Sequence, residues 1–288
     1  MGENKPKISL MAHDVQLLFP VLFLVGIGVV MVYSASSAIA RESYGNSYLF
    51  LKKQAIFALA GAAILIVCRF VPYRWYRPLT YPLLILVLAL LAAVHYPGLG
   101  FEAGGSTRWL HLGPVTFQPS ELARLVLILY LAYSMDRKQG QIKAFSIGYV
   151  PHMFVLAMFS VLIITQPDFG SVVILATITW IMLFVGGVRI IYLVITVLML
   201  LPAAYYMLIH AAYRVKRLMS FLDPWQYPSG EGYQIIHSMM AFGTGGLWGT
   251  GVGKGYQKLF YLPEPHTDFI FSVIGEELGL VGVVIILG

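Results

Sequence analysis

The chain has 288 residues, of which 59% are hydrophobic and only 11% charged, with a formal net charge of +6. Water-soluble domains carry roughly a quarter charged residues, so this balance excludes an ordinary soluble fold, and with it a disordered or nucleic-acid-binding chain. The single cysteine, Cys68, lies in an apolar run and excludes an intramolecular disulfide or a cysteine-built zinc site.

Taken in order, seven apolar stretches approach or exceed the roughly 20 residues that a spanning helix needs. They lie at about 15–36, 51–71, 79–96, 120–135, 148–166, 170–187 and 190–210. An eighth starts at about 268 and is still apolar at Gly288. The runs lack the ten-residue alternation of barrel strands. The predicted fold is therefore an all-α polytopic membrane protein with at least eight transmembrane helices, a single domain over 1–288. Ending inside an apolar run would strand backbone groups in lipid, so the expectation is a chain that continues into further spans. Ser34-Ala35-Ser36-Ser37-Ala38 has the small residues of a cleavage region, but the preceding apolar run is too long for a signal peptide and further spans follow.

Lys and Arg in the short loops give the orientation. With the N-terminus inside, inner segments hold Lys5, Lys7, Arg69, Arg74, Arg77, Arg137, Lys138, Lys143 and Arg189, against Arg41, Lys52, Lys53 and Arg108 outside. Counting the long loop at about 211–267 brings the two sides level, but long loops obey the rule less well, so N-inside is the reading. That loop keeps apolar periodicity. Val215, Leu218, Met219 and Leu222 follow helical spacing beside Arg214, Lys216 and Arg217, and Ile235, Ile236, Met239 and Met240 form a second short face. Such segments lie along a membrane surface.

The strongest local signal is Tyr261-Leu262-Pro263-Glu264-Pro265-His266-Thr267-Asp268-Phe269, running into Gly275-Glu276-Glu277-Leu278-Gly279. Thr267 is the predicted N-cap of the eighth span, which puts Asp268 in its first turn. The helix dipole favours an ionised carboxylate there while partial burial opposes it. Asp268 is thus either a general base at the rim of a membrane cavity or a stabiliser of the helix start. Glu276 and Glu277 lie deeper and read as structurally paired, with Gly275 and Gly279 allowing close helix contact. Glu121 and Arg124 share one helix face, as an ion pair or as an arginine fork for phosphate. Gln166-Pro167-Asp168 makes a turn in which Asp168 either only shapes the chain or orients a sugar or a basic partner. The glycines of 243–255 fail the phosphate-loop pattern, leaving a hinge or a backbone-amide cradle. The histidines show no metal-ligand spacing.

These residues resemble the SEDS family (shape, elongation, division and sporulation proteins), the polytopic peptidoglycan glycosyltransferases of bacteria, over essentially the whole chain. The carrying segments are Gly105-Ser106-Thr107-Arg108-Trp109, Gln118-Pro119-Ser120-Glu121, Gln166-Pro167-Asp168, Phe221-Leu222-Asp223-Pro224-Trp225, Gly232-Tyr233-Gln234, Gln257-Lys258 and the Leu262-to-Gly279 block. Within the family the chain is more similar to the division members than to the elongation members. Arg124 stands where relatives often have lysine, His237 where glutamine is expected and Pro265 where alanine is common.

The resemblance implies ten spans in a full chain and an essential catalytic Asp268. It also implies substrate contacts from Glu121, Arg124, Asp168, Arg108, Lys254, Lys258 and His266. The implied reaction polymerises lipid II, a prenyl-pyrophosphate disaccharide-pentapeptide, into β-1,4 glycan strands. An α-linked donor giving a β-linked product means inversion in one displacement, for which one base suffices. Asp268 would deprotonate the acceptor 4-hydroxyl, and the pyrophosphate would need positive charge from Arg124, from basic loop residues, or from a divalent cation, magnesium or manganese. Implied partners are a class B penicillin-binding protein transpeptidase, divisome proteins and membrane lipids. The implied location is the bacterial cytoplasmic membrane at the division septum. A lipid II flippase is the rival from another class, and a structural division scaffold a third.

Overall fold

The computed structural model describes residues 10–288 apart from 97, 104–105, 113–114, 210–211, 260 and 264. Lys5, Lys7 and Glu264 therefore lie outside the described residues. In chain order the elements are α1 (Leu10–Tyr44), α2 (Leu49–Phe70), α3 (Tyr76–Ala93), β1 (Gly100–Ala103), β2 (Ser106–Leu112), β3 (Val115–Phe117), α4 (Pro119–Arg137), α5 (Val150–Ile164), α6 (Phe169–Val185), α7 (Ile190–Ile209), α8 (Ala212–Leu222), α9 (Glu231–Gly245) and α10 (Ile270–Leu287). A helix occupies each predicted apolar stretch. Among the described residues, five helices are long and apolar enough to cross a membrane: Leu18–Tyr44, Leu49–Phe70, Tyr73–Ala93, Phe145–Ile164 and Ile270–Leu287. Phe169–Val185 and Ile190–Pro202 are shorter apolar helices.

The all-α expectation needs correction. β1, β2 and β3 form an antiparallel sheet in that order, with Gly100 opposite Leu110 and Leu110 opposite Phe117. Residues 100–117 are too polar to span and alternate instead, so their backbone groups pair as a ladder. Gly100 is required here, because a Cβ would stand 2.3 Å from the Val94 carbonyl oxygen. The loop at 211–267 carries α8 and α9, where its apolar spacing places short helical faces.

The chain divides into two compact units, Met1–Cys68 with Met207–Gly288, and Arg69–Tyr206. In the second, α4 is the inner helix. Ala123, Leu127 and Leu131 on α4 are buried with Phe159, Ile163, Leu175 and Leu183. Polar contacts fix the antiparallel order. Arg77 meets Asp136, His95 meets Thr165, and Gln166 donates to the Leu91 carbonyl. Buried His152 bridges the Gly148 carbonyl and Ser134.

In the first unit α10 is not continuous. Gly279 adopts φ 66°, ψ −169°, which breaks the helix. The freed backbone groups find partners in the loop after α9. Leu280 and Val281 donate to the Gly246 and Leu247 carbonyls, while Thr250 and Gly251 donate to the Glu276 and Glu277 carbonyls. An interrupted apolar helix is tolerated where other protein backbone satisfies it in this way.

Candidate active site

Asp268 lies on a turn of the first unit, immediately before α10. The helix starts at Ile270 with Phe269 at the N-cap position and no side-chain cap. The expected Thr267 cap is therefore displaced, and Asp268 precedes the first turn. Packing explains the shift: Phe269 and Ile270 join an apolar cluster with Met31, Ala35, Leu262, Val273 and Ile274. Tertiary burial overrides the local capping preference. Asp268 is exposed and makes no hydrogen bond or ion pair among the described residues.

The turn is anchored on both sides. Upstream, Leu262 is buried between α1 and α10. Lys258 is buried as well, its Nζ donating to Glu277 Oε1 at 2.5 Å and to Ser34 Oγ at 2.9 Å. Ser34 in turn donates to the Glu277 carboxylate at 2.8 Å. Neighbouring Glu276 accepts the amides of Tyr256 and Gln257, and Glu277 also accepts that of Gly253. The two glutamates are thus structural, as their spacing indicated, and Lys258 is committed to the protein rather than open to a substrate. Lys254 is exposed on the same loop, beside the Glu276–Glu277 level of α10. Asp268 lies before the start of α10 at Ile270, more than one helical turn ahead of that level. His266 packs against Phe50 at the start of α2, with ring centroids 4.5 Å apart.

The second unit gathers four of the other expected residues into one cluster. Asp168 is the N-cap of α6, accepting the Ser171 amide at 3.2 Å and the Ser171 hydroxyl at 2.7 Å. Arg108 on β2 approaches the Asp168 carboxylate at 3.6 Å. Arg124 bonds Glu121 at 2.9 Å and reaches Ser171 Oγ at 3.3 Å. Gln118 links Ser120 and Asp168. Both guanidinium groups stay partly exposed, and each leaves a buried Nε–H without an acceptor among the described residues. The cluster therefore has more donor capacity than its two carboxylates accept.

Ser34, Ser171 and Gln118 were not singled out from the sequence as site residues. Ser34 reads as one more small residue in an apolar run, and its partner is 243 positions away. Ser171 was legible, because Asp168 with a serine three residues on is an N-cap pattern. For a divalent cation, no three His, Cys, Asp or Glu side chains converge among the described residues. The carboxylates of the arginine cluster are matched to guanidinium groups, so these residues do not form a resident metal centre.

The chain is similar to several known proteins. The chain is 47% identical over 285 residues to a probable peptidoglycan glycosyltransferase FtsW of Trichlorobacter lovleyi, covering 99% of this chain and 74% of that protein. It is 39% identical over 274 residues to the stage V sporulation protein E of Bacillus subtilis, covering 95% and 75%. Among solved structures, it matches a chain described for the structural coordination of polymerization and crosslinking by a peptidoglycan synthase complex, with TM-score 0.73 and 31% identity over 96% of this chain and 75% of that one. The rod shape determining protein RodA of Thermus thermophilus matches with TM-score 0.64 and 26% identity, over 97% and 72%. The cell cycle protein family model matches residues 15–288, and the chain belongs to the FtsW/RodA/SpoVE family.

Proposed function

We infer that this protein is a multi-pass membrane peptidoglycan glycosyltransferase that polymerises lipid II during cell division, with Asp268 as its base. The carrying observation is the state of that side chain: an exposed carboxylate without a protein partner, on a turn fixed by Leu262 and by the Lys258–Glu277 pair. Glu121, Asp168, Glu276 and Glu277 all spend their oxygens on protein donors. A base must reach an incoming hydroxyl, and a rigid support keeps it oriented.

The chemistry is a single inverting displacement. Asp268 takes the proton of the acceptor 4-hydroxyl as its oxygen attacks the donor anomeric carbon, and the prenyl pyrophosphate departs with the bonding electrons. The donor-rich edges of Arg108 and Arg124 are assigned to anionic groups of the substrate. Magnesium or manganese, if the reaction uses it, would supply positive charge to the pyrophosphate leaving group. The same reading takes α4, α6 and α7 as further spans, making eight, and places the N-terminus in the cytoplasm. It takes a class B transpeptidase and other divisome proteins as partners at the septum of the bacterial inner membrane.

Purified protein supplied with lipid II should form glycan chains, and Asp268→Asn should not. A variant that still polymerises at the wild-type rate removes Asp268 from the mechanism. Loss of lipid translocation together with unchanged polymerisation would instead favour a flippase.

A further inference from the structure

The two ends of the second unit differ in charge. At one end Arg108 and Arg124 are offset by Asp168 and Glu121. At the other, where α3 and α5 begin and α4 and α6 finish, lie Arg74, Arg77, Arg137, Lys138, Lys143 and Arg189. Among the described residues, the acid placed with them is Asp136. Between α3 and α4 at this end is a cavity of about 280 Å³, lined by Tyr73, Tyr76, Arg77, Thr80, Tyr133 and Asp136. It lies just below the roughly 300–1,000 Å³ of small-molecule sites, so it admits a headgroup rather than a whole lipid.

Its walls are aromatic and basic together. Arg77 stands over the Tyr73 ring at 5.6 Å while bonding Asp136 at 3.0 Å. Arg137 donates to the Tyr133 hydroxyl. Tyr73 and Trp75 are about two-thirds exposed, as aromatic residues are at a membrane interface. Arg74 is exposed and makes no ion pair among the described residues.

We propose that this cavity holds the phosphodiester headgroup of an anionic phospholipid, such as phosphatidylglycerol, from the leaflet at the basic end of the unit. The positive-inside rule makes that leaflet the cytoplasmic one. Arg77 on the cavity wall meets the phosphate, Arg74 three residues before it adds positive charge from outside the lining, and the tyrosine hydroxyls meet the glycerol. The two arginines suit the role because guanidinium stays charged and binds phosphate with a planar fork. Partial burial pushes the Lys138 ammonium below its ordinary value and makes it the weaker partner. Basic pockets between helices at this face are where acidic headgroups bind. The assignment is independent of Asp268 and of the reaction.

The test reads lipid retention by native mass spectrometry. The full chain is reconstituted in phosphatidylcholine vesicles with and without phosphatidylglycerol, then extracted. Wild type should retain phosphatidylglycerol over phosphatidylcholine, and Arg74→Ser should lower that preference about five-fold, with Arg74→Ser/Arg77→Ser lowering it roughly thirty-fold. Lys143→Ser, off the cavity, should leave it unchanged. Arg74→Ser disturbs no ion pair, so its effect is separable from misfolding. Equal retention of both lipids by wild type, or an unchanged preference in Arg74→Ser, overturns the proposal. So does displacement of the lipid by inorganic phosphate at equal concentration, which would mark a free-phosphate site.

Discussion

Lys258 Nζ and Glu277 Oε1 stand 2.5 Å apart with both side chains buried, the lysine 5% and the glutamate 0% exposed. Their separation is 19 residues, and the span between them contains Asp268. The pair thus closes a loop that includes the turn carrying the proposed base. Removing one partner of a buried pair leaves an uncompensated charge and costs about 3–5 kcal/mol, whereas replacing both by apolar groups costs far less. Lys258→Met should therefore lower thermal stability in detergent more than Lys258→Met/Glu277→Leu does. Recovery in the double variant should be partial, because the Ser34 hydroxyl and the Gly253 amide also lose their acceptor. A double variant less stable than the single one would show that the pair is not coupled as the geometry requires.

Asp268 presents the opposite case. It is exposed, and among the described residues it bonds to nothing. Asp268→Asn should shift stability by no more than about 0.5 kcal/mol, in the range of exposed substitutions. Glycan synthesis should fall by about 10²–10⁴-fold, the usual contribution of a general base. Unfolding curves and polymerisation assays on one preparation check both halves. Matching losses of stability and activity would reduce Asp268 to a structural role.

The difference between those two residues also marks what a sequence can carry. Apolar runs are local, so helices stand where the hydropathy put them, and the Glu276–Glu277 pair was readable as structural because charge inside a span demands a partner. Glu121 and Arg124 are readable as a pair on one helix face, and the fold brings Asp168 and Arg108 to them in one cluster. Lys258 is a candidate substrate contact by sequence because its charge is readable there and its partners are not. Its burial depends on Ser34, which is 224 residues away. The sheet was missed for a different reason. Thr107, Trp109 and His111 alternate between glycine-bearing stretches, a hairpin signal that a search for spans passes over.

The break in α10 gives a backbone test. Gly279 has φ 66°, and a Cβ there would lie 2.3 Å from the Gly249 amide nitrogen and 2.6 Å from the Leu247 carbonyl oxygen. With ψ at −169° this backbone region is essentially restricted to glycine, and strain of this kind costs about 1–3 kcal/mol. The clash adds to that cost, because the neighbours are main-chain atoms that cannot rotate away. Gly279→Ala should lower the melting temperature clearly and, by loosening the loop, reduce polymerisation. Gly61→Ala is the matched control, being helical with nothing within 4 Å of the added carbon. It should be neutral or stabilising by about 1 kcal/mol. If both variants melt alike, the loop does not depend on the break.

Asp168 separates a cap from an ion pair. Its carboxylate accepts the Ser171 amide and hydroxyl, and it faces Arg108, which is 34% exposed. Asparagine is as good an N-cap as aspartate, and loss of a cap to alanine costs about 1 kcal/mol. A partly exposed ion pair contributes at most about 1 kcal/mol. Asp168→Asn should thus keep the start of α6 and lose only the charge, whereas Asp168→Ala loses both and strands the Ser171 donors in a buried place. The alanine variant should be the less stable by about 1 kcal/mol in chemical denaturation. Ser171 Oγ donates to Asp168 and accepts from Arg124 at 3.3 Å, so the carboxylate that orients the hydroxyl also helps to position Arg124. Polymerisation by the asparagine variant then measures the charge at this cluster with the helix start intact. Equal stability for the two variants would mean that the guanidinium contact, and not the cap, holds β2 and α6 together.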